Sequence, residues 1–162
     1  MRLPPFQVLL DRHGRDVHRF LVASVGAVDA DDCYQETWLA ALRAYPRLRD
    51  PSNLRGWIFT IAHHKVIDHA RSRARRAVPV AEVTEVAEMA AVAMQATEPL
   101  AIDGDIWARV ATLPVKQRTA LALRFIVDSA YAEIATVMDT SEEAARRSVH
   151  EGLKRLRKDY QP

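Results

Sequence analysis

The residues best placed to do chemistry in this 162-residue chain are its clustered histidines and the basic side chains near its C-terminus. His63, His64 and His69 lie close together with Asp68 between them, and on a helix His64 and Asp68 stand one turn apart, near enough to share a metal. A hydrolytic zinc site needs more than that. No Glu is placed as general base in a His-Glu-x-x-His arrangement and there is no second ligand cluster, so solvated or DNA-facing histidines are the better reading. No cofactor is expected. The single cysteine, Cys33, excludes an internal disulfide framework, suits a reducing compartment, and on a partly buried helix is a small hydrophobe before it is a sensor thiol. No Gly-rich phosphate loop and no Ser/His/Asp grouping is apparent, and catalysis is not expected.

Basic side chains make a different pattern. Arg146, Arg147, His150 and Lys154 project from one side of a segment whose other side carries Ala145, Val149, Leu153 and Leu156. Ahead of it Ala132, Ile134, Ala135, Val137 and Met138 form a second short apolar stripe, and Asp139-Thr140-Ser141 between them is a tight turn with Thr140 or Ser141 as helix cap. Two short helices sharing a core across such a turn match helix-turn-helix packing. The outward side chains alone fit two readings, a solvated face on a helical hairpin or a recognition helix that reads base edges in the major groove. The short turn and the basic tail favour DNA, with Arg155, Arg157 and Lys158 better suited to phosphates than to bases.

The elements that position these residues are helical throughout. Phe6, Leu9, Leu10, Val17, Phe20, Leu21 and Val25 recur at three- and four-residue steps, with a break expected near Gly14. A second helix is predicted from Asp29, capped by Asp-Ala-Asp-Asp, through Cys33, Trp38, Leu39 and Leu42 to a stop before Pro46. Asp50-Pro51-Ser52-Asn53 reads as a turn whose Ser or Asn caps a third helix carrying Leu54, Trp57, Ile58, Ile61, Ala62 and Val66, which ends in the basic run 71–76. The last third predicts four helices, over about 103–112, from Pro114 to about 125, 131–138 and 141–158. The fold class expected is all-α, with two small helical domains, 1–76 and 107–162, joined by a linker, 77–106.

Charge follows the same three blocks. Residues 1–76 hold 13 Lys/Arg against 8 Asp/Glu, net +5; residues 77–106 hold Glu82, Glu85, Glu88, Glu98, Asp103 and Asp105 with no Lys or Arg, net −6. Residues 107–162 hold 10 basic and 7 acidic residues, net +3, so the overall +2 conceals two basic modules around an acidic segment. A shared polyanionic target is the reading this favours. No window approaches the ~20 apolar residues of a membrane span and the N-terminus lacks the apolar core of a signal peptide, so no membrane insertion and a cytoplasmic location are expected.

Two motif sets carry a family resemblance. Asp31-Asp32-Cys33-Tyr34-Gln35-Glu36-Thr37-Trp38-Leu39, Trp57-Ile58-Phe59-Thr60-Ile61-Ala62-His63-His64 and Ile67-Asp68-His69-Ala70-Arg71 resemble region two of RNA polymerase sigma factors. Leu113-Pro114-Val115-Lys116-Gln117-Arg118, Tyr131-Ala132-Glu133-Ile134-Ala135 and Leu153-Lys154-Arg155-Leu156-Arg157 look like region four of the same family. With both sets in order over nearly the whole chain and no other sizeable domain, the chain resembles the compact extracytoplasmic-function, or group IV, sigma factors of the sigma-70 family. That resemblance implies a transcription initiation factor. Core RNA polymerase would dock on Asp32, Gln35, Glu36 and Leu39, through the clamp helices of its largest subunit. The minus-ten element would be held by Arg47, Arg49, Asp50, Ser52, Asn53, Trp57, His64, Lys65 and Arg71. The minus-thirty-five element would meet Arg118, Ser141, Arg146, Arg147, His150 and Lys154, with region four also touching the flap of the second-largest subunit. Trp57 and Phe59 are candidates for base stacking, although core packing is expected of at least one, and Trp38 is expected in the core. An anti-sigma factor masking the polymerase-binding helix is the implied regulator. The connector of such proteins threads towards the polymerase cleft and RNA exit path, so the net −6 segment is expected to occupy a channel built for a polyanion.

The chain departs from the family pattern at several positions. His64 stands where Asn is usual, Glu143-Ala144-Ala145 where Gly-Thr-Val is usual, Arg147-Ser148 in place of Ser-Arg, and Glu151 in place of Arg. A phosphate-binding hydroxyl is thereby missing, and region four is expected to read an unusual element or to bind DNA weakly by itself. Two other function classes compete: a stand-alone helix-turn-helix regulator, which would footprint duplex DNA without polymerase, and an adaptor-like interaction protein, which would show no salt-dependent nucleic-acid binding.

Overall fold

A computed structural model of the chain describes residues 2–76 and 104–159, and every described element is a helix or a helical turn. The first long helix, α1 (Phe6–Val25), buries Leu9, Val17, Phe20 and Leu21 on the stripe that the three- and four-residue steps predicted. It is not broken at Gly14. A Cβ there would lie 2.9 Å from the Tyr34 hydroxyl, so this glycine serves the close approach of α1 to the next helix rather than a bend.

The second helix, α2 (Ala27–Ala44), starts two residues earlier than the acidic cap pattern predicted. Gly26 makes the corner, with φ 88° and ψ 160°, a backbone conformation in which side-chain-bearing residues are strained. Its N–H still bonds the Val22 carbonyl and its carbonyl accepts from Ala30, so the chain turns between two helices without abandoning backbone groups. Asp29 then lies in the first turn, where its charge suits the helix dipole. Cys33, Trp38 and Ala41 are buried on the inner face, and Phe6 meets both Trp38 and Tyr45 edge-on.

Two short 3₁₀ turns, Tyr45–Arg47 and Pro51–Asn53, lead into α3 (Leu54–Arg76), as the Pro-Ser-Asn turn predicted. Phe20 of α1 and Phe59 of α3 pack edge-to-face at 5.7 Å, both almost wholly buried. Phe59 is therefore a core residue and not a stacking platform.

The C-terminal helices are α4 (Gly104–Val110), α5 (Val115–Leu121), α6 (Tyr131–Val137) and α7 (Glu142–Asp159). The helix expected to run to about residue 125 ends at Leu121 and continues as a π-helical turn, Ala122–Ile126, closed by the Val127 N–H on the Ala122 carbonyl. Ala145 and Val149 of α7 are buried with Ile134 and Val137 of α6, the shared core that the two apolar stripes required. The core is one contiguous cluster. It runs from Leu9 and Phe20 through Ile58 and Phe59 to Leu123 and Ile134, because the π turn and α5 pack on α1 while α6 packs on α3.

Candidate nucleic-acid interface

The turn before α3 is built from its own polar side chains. The Asp50 carboxylate accepts from the Ser52 N–H at 2.9 Å, which holds its pKa below the usual carboxylate range, and the Asn53 side-chain oxygen accepts from the Gly56 N–H at 2.9 Å. Asn53 is thus the helix cap, and it sits so close that a Cβ on Gly56 would lie 2.4 Å from it. Asp50 and Asn53 shape the turn, while Arg47, Arg49 and Ser52 stand exposed around it.

From this turn a strip runs down α3. Trp57, His64 and Arg71 recur every seven residues, so they lie within about 40° of one another around the helix. Trp57 is half-buried, tilted against the buried Tyr45 at 5.9 Å; His64 and Arg71 are exposed, and Lys65 beside them is half-buried. An aromatic ring at one end and a mostly exposed basic run, Arg71 to Arg76 with Arg73 half-buried, at the other is an arrangement that suits a nucleic-acid strand.

The other histidines do not join that strip. His63 faces inward, 5% exposed, and burial, aided by neighbouring His64, lowers its pKa to about 4. His69 bonds the Asp29 carboxylate of α2 at 2.8 Å. Among the described residues no three His, Cys, Asp or Glu side chains are grouped as a metal would need. Cys33 is buried and its pKa is pushed up to about 11 by desolvation and by Glu36, so it is a thiol at neutral pH.

On α2 the residues Asp32, Gln35, Glu36 and Leu39 are all exposed and follow the three- and four-residue spacing of one helix face. Leu42 belongs with them. In sequence it stands only as part of the helix and not of this face, yet it is 51% exposed beside Leu39 at 52%, leaving two leucines in solvent with acids nearby. Their spacing from Gln35, four and seven residues, was the signal that would have found it.

In the C-terminal half, the Ser141 hydroxyl caps α7 by accepting from the Ala144 N–H at 3.0 Å. Arg146, Arg147, His150 and Lys154 are all exposed on the outward side. Arg146 is held in place: it bonds Glu142 at 2.6 Å and lies over the Tyr131 ring at 4.9 Å, a ring that Arg124 also covers at 4.6 Å. Arg147 reaches Glu143 at 3.9 Å. The two acids that would repel phosphates are therefore already engaged with arginines. Arg118 lies differently. It is partly buried, it donates to the Ala111 carbonyl at 3.2 Å, and burial together with nearby Arg73 lowers its pKa.

Both halves of the chain match known protein families. Residues 9–76 match the family profile for sigma-70 region 2, and residues 103–156 match that for sigma-70 region 4. The chain belongs to the extracytoplasmic-function group of the sigma-70 family. It is similar to the ECF RNA polymerase sigma factor SigD of Mycobacterium tuberculosis, 35% identical over 152 residues, covering 87% of this chain and 70% of that one. It is also similar to SigX of Bacillus subtilis, 26% identical over 94% of this chain and 82% of the relative. Among solved structures, the sigma factor RpoE of Bartonella quintana, crystallised with the anti-sigma factor NepR, shares the fold with a TM-score of 0.71. That match is 20% identical and covers 94% of each chain. CnrH, solved with the cytosolic domain of CnrY, gives 0.65 at 22% identity over 93% of this chain and 84% of the other. As a sigma factor of this group, the protein is a transcription initiation factor that directs RNA polymerase to promoters. None of its described helices is long and apolar enough to cross a membrane.

Proposed function

We propose a division of labour among three surfaces. The exposed face of α2, with Asp32, Gln35, Glu36, Leu39 and Leu42, docks on the clamp helices of the polymerase largest subunit. The turn at 47–53 and the Trp57–His64–Arg71 strip hold the non-template strand of the minus-ten element, where a half-buried ring and a basic run compensate the few kcal/mol of unstacking. The outward face of α7 reads the minus-thirty-five element as duplex, with Arg146 and Arg147 at base edges and the basic end of the helix on phosphates. Arg118 supports this half from within, through its bond to Ala111, rather than touching DNA. The protein carries no catalytic role of its own and works in the cytoplasm, where its polymerase is. An anti-sigma factor that covers the leucines of α2 competes with polymerase for that face.

The observation that carries the reading is the preorganised Arg146. A base-reading arginine held by a carboxylate on one side and a ring on another meets DNA with little ordering left to do. Transcription with purified core polymerase over a library of genomic fragments tests the function and yields the promoter. On that promoter Arg146→Ala and Arg147→Ala are each expected to lower run-off transcription roughly 5- to 150-fold, the range for losing a bidentate base contact. Unchanged run-off would overturn the assignment of α7 as reader.

A further inference from the structure

Helix α7 opens with two glutamates, Glu142 and Glu143, each one turn ahead of an arginine, yet the two pairs are not equivalent. Glu142 meets Arg146 at 2.6 Å, its side chain is 48% exposed, and the arginine is also held over the Tyr131 ring at 4.9 Å. Glu143 lies 3.9 Å from Arg147, close to the ~4 Å limit of an ion pair, and its side chain is 87% exposed. An exposed pair at that distance contributes little and parts easily. Glu142 is therefore engaged in placing Arg146, while Glu143 keeps its carboxylate for whatever the helix meets. The backbone that carries it is fixed. Asp139, at φ 51°, turns the chain between α6 and α7, the Thr140 N–H donates to the Ala135 carbonyl at 2.9 Å, and the Ser141 hydroxyl accepts from the Ala144 N–H at 3.0 Å. Ala145, two residues beyond Glu143, is wholly buried in the core shared with α6. Glu143 thus stands in solvent on the second position of a pinned helix end.

In a helix-turn-helix the N-terminal residues of the second helix are the ones that meet base edges. A carboxylate set there is a selective group, because it accepts hydrogen bonds and donates none. Guanine shows only acceptors in the major groove, and thymine shows an acceptor and a methyl group. Adenine shows its amino group beside the N7 acceptor, whereas cytosine shows the N4 amino group with no acceptor of its own beside it. Cytosine is the base that a carboxylate fits, and the others are rejected by opposed or unpaired groups. The 3.9 Å between Glu143 and Arg147 is close to the ~3.4 Å step between stacked pairs, so the arginine reaches the next pair, where guanine offers O6 and N7.

We propose that Glu143 is a specificity-determining residue of the minus-thirty-five contact, requiring cytosine at the pair it faces, with Arg147 on a guanine of the neighbouring pair. The inference rests on the reading of α7 as the duplex reader. A negative charge at the groove lowers affinity for every sequence, so what Glu143 adds is discrimination and not strength. A glutamate present only for the helix dipole would be indifferent to the base opposite it.

The test is run-off transcription by the full chain with core polymerase, on the promoter recovered from the genomic library and on every single base-pair substitution through its minus-thirty-five element. The parent is expected to lose roughly 5- to 150-fold when one particular cytosine becomes thymine. Glu143→Ala should flatten the response at that pair to within about 2-fold and leave the other positions as they were. Glu143→Gln, whose amide both donates and accepts, should move the preference at that pair to adenine. Both variants should keep their helical content, because the side chain is exposed and Ser141 still caps α7. Arg147→Ala should relax the guanine of the neighbouring pair instead. No cytosine requirement in the parent, a requirement that survives Glu143→Ala, or a change spread evenly over all positions would each overturn the proposal. Failure of α7 as reader looks different: the parent's run-off would then ignore every substitution in the element, which overturns both.

Discussion

Buried in α3 with its Nδ1 unpartnered, His63 makes stability depend on pH. Desolvation first and His64 second lower its pKa to about 4, against 6.5 for the free side chain. The unfolded chain therefore binds a proton before the folded one does, so stability falls as pH drops from about 6.5 towards 4. Between pH 7.5 and 5 the loss at this one group is about 2 kcal/mol. His63→Leu removes both the proton and the unsatisfied nitrogen, and urea unfolding of that variant should show a clearly shallower pH slope. Some slope should remain, because His13 is also held below its ordinary value by partial burial and by Arg55 and Arg12. Equal slopes for parent and variant would assign the effect elsewhere. Side-chain type alone foretold the fates of Cys33 and Trp38, which are both buried. It offered Asn53 and Ser141 both as helix caps and as DNA contacts and could not weigh the two uses, since capping and strand contact call for the same small polar residues; their oxygens and that of Asp50 accept backbone N–H bonds within their own turns. Arg118 shows the limit from the other side: nothing local marks an arginine whose guanidinium turns to a carbonyl seven residues back.

Helices were legible wherever an apolar stripe persisted, and their ends were legible where a proline or a capping side chain marked them. What the stripes did not contain was the geometry of the joints. Gly26 carries the corner between α1 and α2 at φ 88°, ψ 160°, and the acidic cluster just after it drew the predicted start two residues too far on. Replacing it with Ala forces a Cβ into a region that L side chains seldom occupy, so Gly26→Ala is expected to cost about 1–3 kcal/mol in urea unfolding. A loss below about 0.5 kcal/mol would show that the corner relaxes into an ordinary conformation. The π turn was equally hidden, because one extra residue between Ala122 and Val127 changes no composition and hardly disturbs a short stripe. Its consequence is large, since it swings the chain into the Asp128 turn that faces α3.

At the scale of the whole molecule, two helical groups could be read from motif order and charge blocks, but their docking could not. Arg55 and its acceptor Val127 are 72 positions apart, and no periodicity connects them. The acidic segment is the part whose proposed role rests on charge together with the family resemblance: residues 77–106 carry net −6 between blocks of +5 and +3, although 77–103 lie outside the described residues. A stretch of like charge close to two basic modules is drawn to the same surfaces as a nucleic-acid backbone, and in a polymerase the path built for nascent RNA is such a surface. If it occupies that path, growing RNA has to displace it, and short transcripts would be released during the contest. Glu82→Lys, Glu85→Lys and Glu88→Lys together bring the segment from −6 to neutral without altering its length. Core binding and promoter opening should persist, because neither proposed surface includes these residues. The ratio of abortive to full-length products should fall several-fold, and the gap between parent and variant should narrow as salt screens the charges. An unchanged ratio at low salt would reduce the segment to a spacer, leaving its charge without a function in initiation.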